Sequence, residues 1–377
     1  MLKQLKIENF RCFKSFELNH LGKVNLLVGK NNSGKTSILE AIQLFHSRAN
    51  FQSLNKIIVN RGEYLQNDRE LDISCLFYGR KIIQGQKAII LAKHENEKQN
   101  LQLSILNNDI KASKEFINSM YWVSNMKLEE QNQYLNNLLQ QRIEQDLDYV
   151  NKIDSHTFFL RKELYNLDNL VNDDNILRLV ITGNSEVLIN KFVASSSLKL
   201  SELLELFNKV VLTPEEDLVY QALQIIEPKI QRIAPIGTEL KNNSTRGGFY
   251  VKLSDSDKRI PIGSMGDGVW RMLGLSLALV SAKDGVLLVD EIDTGLHYTA
   301  LENMWKLIWE TAKKLNIQVF ATTHSRDCYE ALEVLANRDD VGEEDISIQR
   351  IEKDTPRSVV YNKKGIATAA KREIEVR

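Results

Sequence analysis

No run of about 18 consecutive apolar residues occurs anywhere in this chain, so no membrane-spanning helix is expected. The opening residues, MLKQLKIENFRCF, alternate like a strand and contain no apolar signal core, so a cytoplasmic protein is expected. Cysteine is scarce. Cys12, Cys75 and Cys328 lie far apart, without metal-ligand spacing, which argues against a disulfide framework and for reduced thiols. An excess of charge of one sign is missing too. The net charge is −1, so bulk electrostatics do not point to nucleic acid, although a local basic groove stays open. Internal repeats and low-complexity linkers are absent. No paired histidines at metal spacing and no D-x-D cluster with a helper glutamate suggest a nuclease centre.

What is present is an ordinary soluble composition, 43% hydrophobic and 26% charged, which allows a substantial core. A length of 377 residues suggests two or three domains, or one large domain with an insertion. KVNLLVG (23–29) is an apolar run that ends at glycine, as a buried strand would. TSILEAIQLF (36–45) places Ile38, Leu39, Ile42 and Phe45 on one helical face. Between them, Gly29-Lys30-Asn31-Asn32-Ser33-Gly34-Lys35-Thr36 matches G-x-x-x-x-G-K-[ST] in full. The glycines let backbone amides turn inward on phosphates, and the helix N-terminus adds its positive end. Lys35 is expected to reach the β- and γ-phosphates, and the Thr36 hydroxyl to ligate Mg²⁺. Gly29, Asn31, Asn32, Ser33, Gly34 and Ser37 complete the expected nucleotide contacts.

GVLLVDEID ends an apolar strand in Asp290 and Glu291. A strand-end aspartate suits Mg²⁺, and the following glutamate suits a general base. Two solvated acids are the bland alternative. IQVFATTHS ends a second buried strand in Thr322, Thr323 and His324. That histidine is either structural or placed to orient water at the ligand side of a parallel sheet. PIGSMGDGVWRML opens an apolar helix with Ser264, Gly266 and Gly268. It reads as a second anion site or as an ordinary capped helix start.

Strand–helix–strand alternation after residue 234 predicts a parallel sheet with helices on its faces. ELDISCLFY, KAIILAK and NLQLSIL read as strands of a β-rich side lobe. Leu128, Leu135, Leu138, Leu139, Ile143 and Leu147 recur at three-to-four spacing, as in a packed helical subdomain or a coiled-coil arm. Thr213-Pro214-Glu215-Glu216 is a helix-start pattern. The expected division is 1–110 and 234–377 as two halves of one α/β P-loop head, with a helical insertion over 111–233.

In order, IENFRCF, GKNNSGKTSILEAI, SMGDG, LLVDEIDTGLH and FATTHS resemble the ABC-type ATPases of the SMC, RecF and OLD (overcoming lysogenization defect) group. The resemblance covers residues 1–45 and 261–332 closely. It implies ATP and Mg²⁺ as ligands, Glu291 as base and His324 as the switch histidine. It puts Arg11 and Phe13 near the nucleotide. Ser264, Gly266 and Gly268 become the signature that grips ATP bound to an opposite subunit, with Asp293, Thr294, Gly295 and Leu296 as the interface loop. His297 matches the GLH of the OLD-like branch. The implied assembly is a homodimer, or a higher homo-oligomer, sandwiching ATP. It would serve DNA repair or anti-phage defence, with DNA as a candidate client and no membrane partner. OLD nucleases continue into a Toprim domain, and the chain stops at REIEVR. A separate Toprim-like or HNH-like nuclease subunit is therefore expected. The glutamine loop has only Gln66 and Gln84 as candidates. The competing readings are a transporter-type nucleotide-binding subunit and a simple P-loop NTPase or kinase. The IENF start and GLH speak against the first. The second anion-binding helix start speaks against the second.

Overall fold

The computed structural model describes residues 1–64, 71–95, 97–107, 156–160, 177–183, 187–195, 198–235 and 248–371. Alternation in the first residues does give a strand, β1 (Leu2–Phe10). Its Leu5, Ile7 and Phe10 are buried, while Gln4, Lys6 and Glu8 remain partly exposed. It forms a hairpin with β2 (Phe13–Leu18). The apolar run that follows is β3 (Val24–Val28), buried at every position, and it leads through the glycine loop into α1 (Lys35–His46). A second helix, α2 (Phe51–Asn60), is capped by Asn50, whose side chain accepts from the Ser53 N–H.

The segment ELDISCLFY does not form the expected strand. Ile73–Leu76 is one turn of 3₁₀ helix, and the Asp72 carboxylate accepts from the Ser74 N–H at 3.0 Å. A capping aspartate outweighs the β-branched propensity around it. The other lobe strands are as expected: β4 (Lys87–His94) and β5 (Lys98–Asn107). They join β6 (His156–Leu160) and β7 (Leu177–Gly183) in a six-stranded antiparallel sheet of order β2-β1-β4-β5-β7-β6.

The expected helical insertion over 111–233 needs correction. The leucine-patterned stretch around residues 128–147 lies outside the described residues. The described remainder of 111–233 belongs largely to the head. β6 and β7 extend the antiparallel sheet. β8 (Asn190–Val193) is the edge strand of the nucleotide-side sheet. Helices α3 (Leu200–Val210) and α4 (Glu216–Ile226) bury Leu203, Phe207, Val219 and Leu223 in its core. Sequence period alone does not show that these short elements find partners far along the chain. Thr213 is not the cap of α4: its hydroxyl donates to the Val210 carbonyl, and the helix begins at Glu216.

β9 (Ile230–Pro235), β10 (Phe249–Leu253) and β11 (Arg259–Pro261) make a three-stranded antiparallel sheet. The apolar helix α5 (Asp267–Val280) follows, then β12 (Val286–Val289), α6 (Tyr298–Lys314), β13 (Gln318–Thr322) and α7 (Arg326–Ala336). The chain continues through β14 (Ile346–Arg350), β15 (Val359–Tyr361) and α8 (Lys363–Lys371). The order β15-β14-β3-β13-β12-β8 is parallel throughout, except for β15 against β14.

This parallel sheet divides the core in two. Along β3, Val24, Leu26 and Val28 face one hydrophobic cluster and Leu27 faces the other. Along β12, Leu287 and Val289 go one way, Val286 and Leu288 the other. α1 lies in the cluster shared with the antiparallel lobe, and α5, α6 and α7 lie in the opposite one. Burial on both faces explains why these strands read as continuous apolar runs rather than as alternation. The carboxyl ends of β3, β12 and β13 then carry Gly29, Asp290 and Thr323-His324, side by side in adjacent strands.

Candidate functional site

The phosphate loop is shaped by backbone that side chains would not tolerate. Gly34 caps α1 with φ 99°, and a Cβ there would lie 2.3 Å from the Phe13 ring and 2.8 Å from the Cys12 sulfur. Gly29, at φ 144°, has the Ile351 carbonyl 2.3 Å from where its Cβ would be. Asn31 and Asn32 are exposed on the loop's outer side, and Asn32 adopts φ 59°. Ser33 and Ser37 are buried.

Lys35 is also buried, and its ammonium donates to the Gly29 and Lys30 carbonyls at 2.8 and 3.0 Å. Burial pushes it down to about 8, against the opposing pull of Asp290 and Glu291. The Ser33 hydroxyl is buried and has no hydrogen-bond partner. A cation held against desolvation, an orphaned hydroxyl and a cradle closed to side chains together fit a phosphate chain.

Asp290 sits opposite. Its carboxylate accepts from the Thr36 hydroxyl, with both oxygens at 3.2 Å, and from the Thr322 hydroxyl at 2.7 Å. A hydroxyl and a carboxylate facing each other at the loop fit Mg²⁺, which takes few protein oxygens and shares the phosphates. Glu291 follows with φ 48°, an uncommon conformation for a glutamate. Its N–H donates to Thr322 Oγ1 at 2.8 Å, and its carboxylate accepts from Thr294 Oγ1 at 3.2 Å. Thr323 Oγ1 donates to Asp293 at 2.6 Å and accepts the Ser325 N–H at 2.9 Å. His324 is exposed. Partial burial and then the Lys35 charge hold its imidazole below the ordinary range, while Glu291 and Asp290 oppose them. Lys35, Asp290, Glu291 and His324 thus act on one another across one small space.

Ser264, Gly266 and Gly268 stand apart in character. Ser264 and Gly266 are exposed, and Gly266 caps α5 at φ 87° with open space where a Cβ would be. Gly268 packs on the 293–296 loop: its Cβ would lie 3.2 Å from the Gly295 carbonyl and 3.9 Å from Leu296. His297 and Tyr298 are exposed just beyond, with ring centroids 4.4 Å apart.

Arg11 is committed elsewhere in this structure. Its guanidinium binds Glu63 at 2.5 and 2.7 Å, Glu40 of α1 at 3.0 Å and the Cys75 carbonyl at 3.2 Å. Arg61 takes the other oxygen of Glu40 at 2.6 Å and reaches the Ser37 hydroxyl at 3.2 Å. Two arginines on one buried glutamate therefore brace the first turns of the loop helix. The sequence reading missed Glu40, Arg61 and Glu63, which sit in unremarkable local contexts. It also missed Arg271, although a single charge inside the apolar helix VWRMLGLSLALV was a usable signal. Gln84 is exposed, and Gln66 lies outside the described residues.

Among the described residues, no helix is long and apolar enough to cross a membrane. The AAA ATPase domain family matches residues 1–328. A Helicobacter pylori protein named ATP/GTP phosphatase is 25% identical over 361 residues, 90% of each chain. The Clostridioides difficile DNA replication and repair protein RecF is 48% identical over 52 residues, 14% of each chain. The chain is also similar to the SMC head domain from Thermotoga maritima, at 13% identity and a TM-score of 0.43, over 96% of this chain and 98% of that one. The family match spans the loop, the signature turn and the strand-end acids alike, and the chain belongs to the AAA ATPase domain family.

Proposed function

We propose that two copies of this chain close on ATP, each supplying the phosphate loop of one site and the signature turn of the other. The observation that carries this reading is the contrast between the two glycine-bearing helix starts. The loop is walled in by its own chain and faces its own acids. The signature turn presents Ser264 and Gly266 to solvent, on the shoulder of the 293–296 loop. An anion-binding helix start left open in this way suits a ligand brought by a second molecule.

Within one site, Lys35 and the loop amides hold the phosphates. Thr36 and Asp290 would hold Mg²⁺, which when bound neutralises charge on the β- and γ-oxygens. Glu291 accepts a proton from the attacking water, and His324 orients that water toward the γ-phosphate. ATP that binds the closed pair better than the open one drives closure, and hydrolysis reverses it. The work this cycle performs is DNA-related, a reading supported by the similarity to RecF over 52 residues. A separate nuclease subunit of Toprim-like or HNH-like type would act in anti-phage defence. This finer reading rests on the GLH resemblance and is tested by co-purification from native cells.

Glu291→Gln tests the core of the proposal. With ATP and Mg²⁺ the variant should retain nucleotide, lose turnover by roughly 100-fold or more, and elute as a dimer in light scattering. A variant that hydrolyses ATP at the normal rate, or that stays monomeric with ATP bound, overturns it.

A further inference from the structure

Arg271 is the one charged residue in the middle of α5, and it is 3% exposed. Its side chain runs to the carboxyl ends of two adjacent parallel strands. Nη1 donates to the Ala194 carbonyl at 2.6 Å and reaches the Ser195 carbonyl at 3.4 Å, just past β8. Nη2 donates to the carbonyls of Asp290 and Glu291, both at 2.9 Å, just past β12. A guanidinium is always charged, and its planar fork can serve several carbonyls at once. Burying that charge is costly, and the carbonyl set offsets the cost only in this geometry.

What the fork holds is unusual. Glu291 has φ 48°, a left-handed backbone that an L residue other than glycine keeps only when its surroundings impose it. Two side-chain contacts impose it here, beside the Thr294 N–H that donates to the same Glu291 carbonyl at 3.0 Å. Thr322 Oγ1 accepts the Glu291 N–H at 2.8 Å, and Arg271 donates to the Glu291 carbonyl. The first anchor belongs to β13 and the second to the helix that begins at the signature turn, seven residues after Ser264. α5 is buried along nearly its whole length, and a close-packed element of this kind transmits strain from one end to the other. A ligand that seats Ser264 and Gly266 therefore acts, through Arg271, on the main chain of Glu291.

We infer that Arg271 is a positioning residue for hydrolysis: it fixes the backbone of Glu291 from the signature helix, so that the seating of the signature turn sets where the acid stands. This rests on the reading of Glu291 as the base. Arg271 touches no reacting atom. It makes turnover, rather than ATP binding, depend on α5.

The test uses the full chain with ATP and Mg²⁺. Arg271→Lys keeps the charge but cannot span the carbonyls of both strands with one ammonium. It should lower kcat by about 10- to 100-fold, the range seen when a supporting contact behind a reactive group is lost. Affinity for a fluorescent ATP analogue should stay within about threefold of the normal value, because the loop is untouched. Arg271→Gln, measured in parallel, should show the same split and serves if the lysine variant is recovered unfolded. A merely structural cap predicts otherwise. Equal proportional losses of kcat and ATP affinity, or a lower melting temperature with kcat within about twofold of normal, overturn the inference. Glu291→Gln in the same assay separates the two readings. If it turns over normally, the base assignment fails. If it stalls while both Arg271 variants turn over normally, only the positioning role fails.

Discussion

The phosphate loop and the signature turn solve the same local problem in opposite ways. Each starts a helix at a glycine with positive φ, 99° at Gly34 and 87° at Gly266. Gly34 is hemmed in by Phe13 and Cys12, whereas Gly266 has nothing within 4 Å of where a Cβ would stand. Lys35, next to the first glycine, is buried beside the acids, whereas Ser264, two residues before the second, is exposed. One glycine helix start is enclosed by its own chain and the other is open surface. Damage to the first should therefore appear in binding and folding, and damage to the second mainly in turnover.

The largest expected effect is at the loop. Lys35→Ala removes a buried ammonium that would meet two phosphates. ATP affinity should fall roughly 300-fold, or about 3 to 4 kcal/mol, in a titration with a fluorescent analogue. An affinity within a few-fold of normal would mean that the loop does not carry the nucleotide. Next is a paired glycine test. Gly34→Ala forces a Cβ into the Phe13 ring as well as into left-handed backbone, and should cost about 3 kcal/mol of stability in urea. Gly266→Ala faces the backbone cost alone and should lose only about 1 kcal/mol. Equal losses would erase the contrast between the two sites. Ser264→Arg then places a bulky cation on the exposed turn. It should leave ATP affinity of the dilute chain intact, while turnover drops on the order of 100-fold and no longer rises with protein concentration. Turnover unaffected at every concentration would favour a self-contained NTPase.

Much of this was legible in the sequence. Strand β3, the loop and α1 are contiguous, so glycine spacing and a single apolar face reveal them together. The acids at 290–291 and the histidine at 324 end apolar runs, which marks them as strand ends. What escaped has one physical cause, pairing across distance. Arg11 meets Glu63 from 52 residues away, and Arg271 meets the carbonyls after β8 from 76 and 77 away. Carbonyl acceptors leave no trace in side-chain identity. β8 is only four residues long and gains its meaning from lying beside β12. The 3₁₀ turn at Ile73–Leu76 looked like a strand because its apolar content is that of a strand, and only the capping by Asp72 decides otherwise.

A pH effect sharpens the comparison at the far end of the loop helix. α1 closes at His46, which is 1% exposed, whereas α5 closes at the uncharged Val280. Both ring nitrogens of His46 are buried without a hydrogen-bond partner, and the ring packs edge-on to Phe45 and His94. Burial, and then the nearby His94, push its imidazole down to about 3. The folded chain therefore refuses a proton that the unfolded chain accepts below the ordinary histidine value of 6.5. This contribution to stability is complete above that value and is lost progressively as the pH falls toward 3. Between pH 7 and pH 5 it amounts to about 2 kcal/mol. Urea titrations of the normal chain and of His46→Leu at both pH values isolate it, because every other titrating group is common to the two proteins. The normal chain should lose about 2 kcal/mol more than the variant on acidification. Parallel losses would show that His46 takes up its proton while folded, and that the core beneath the phosphate loop is wetter than its packing indicates.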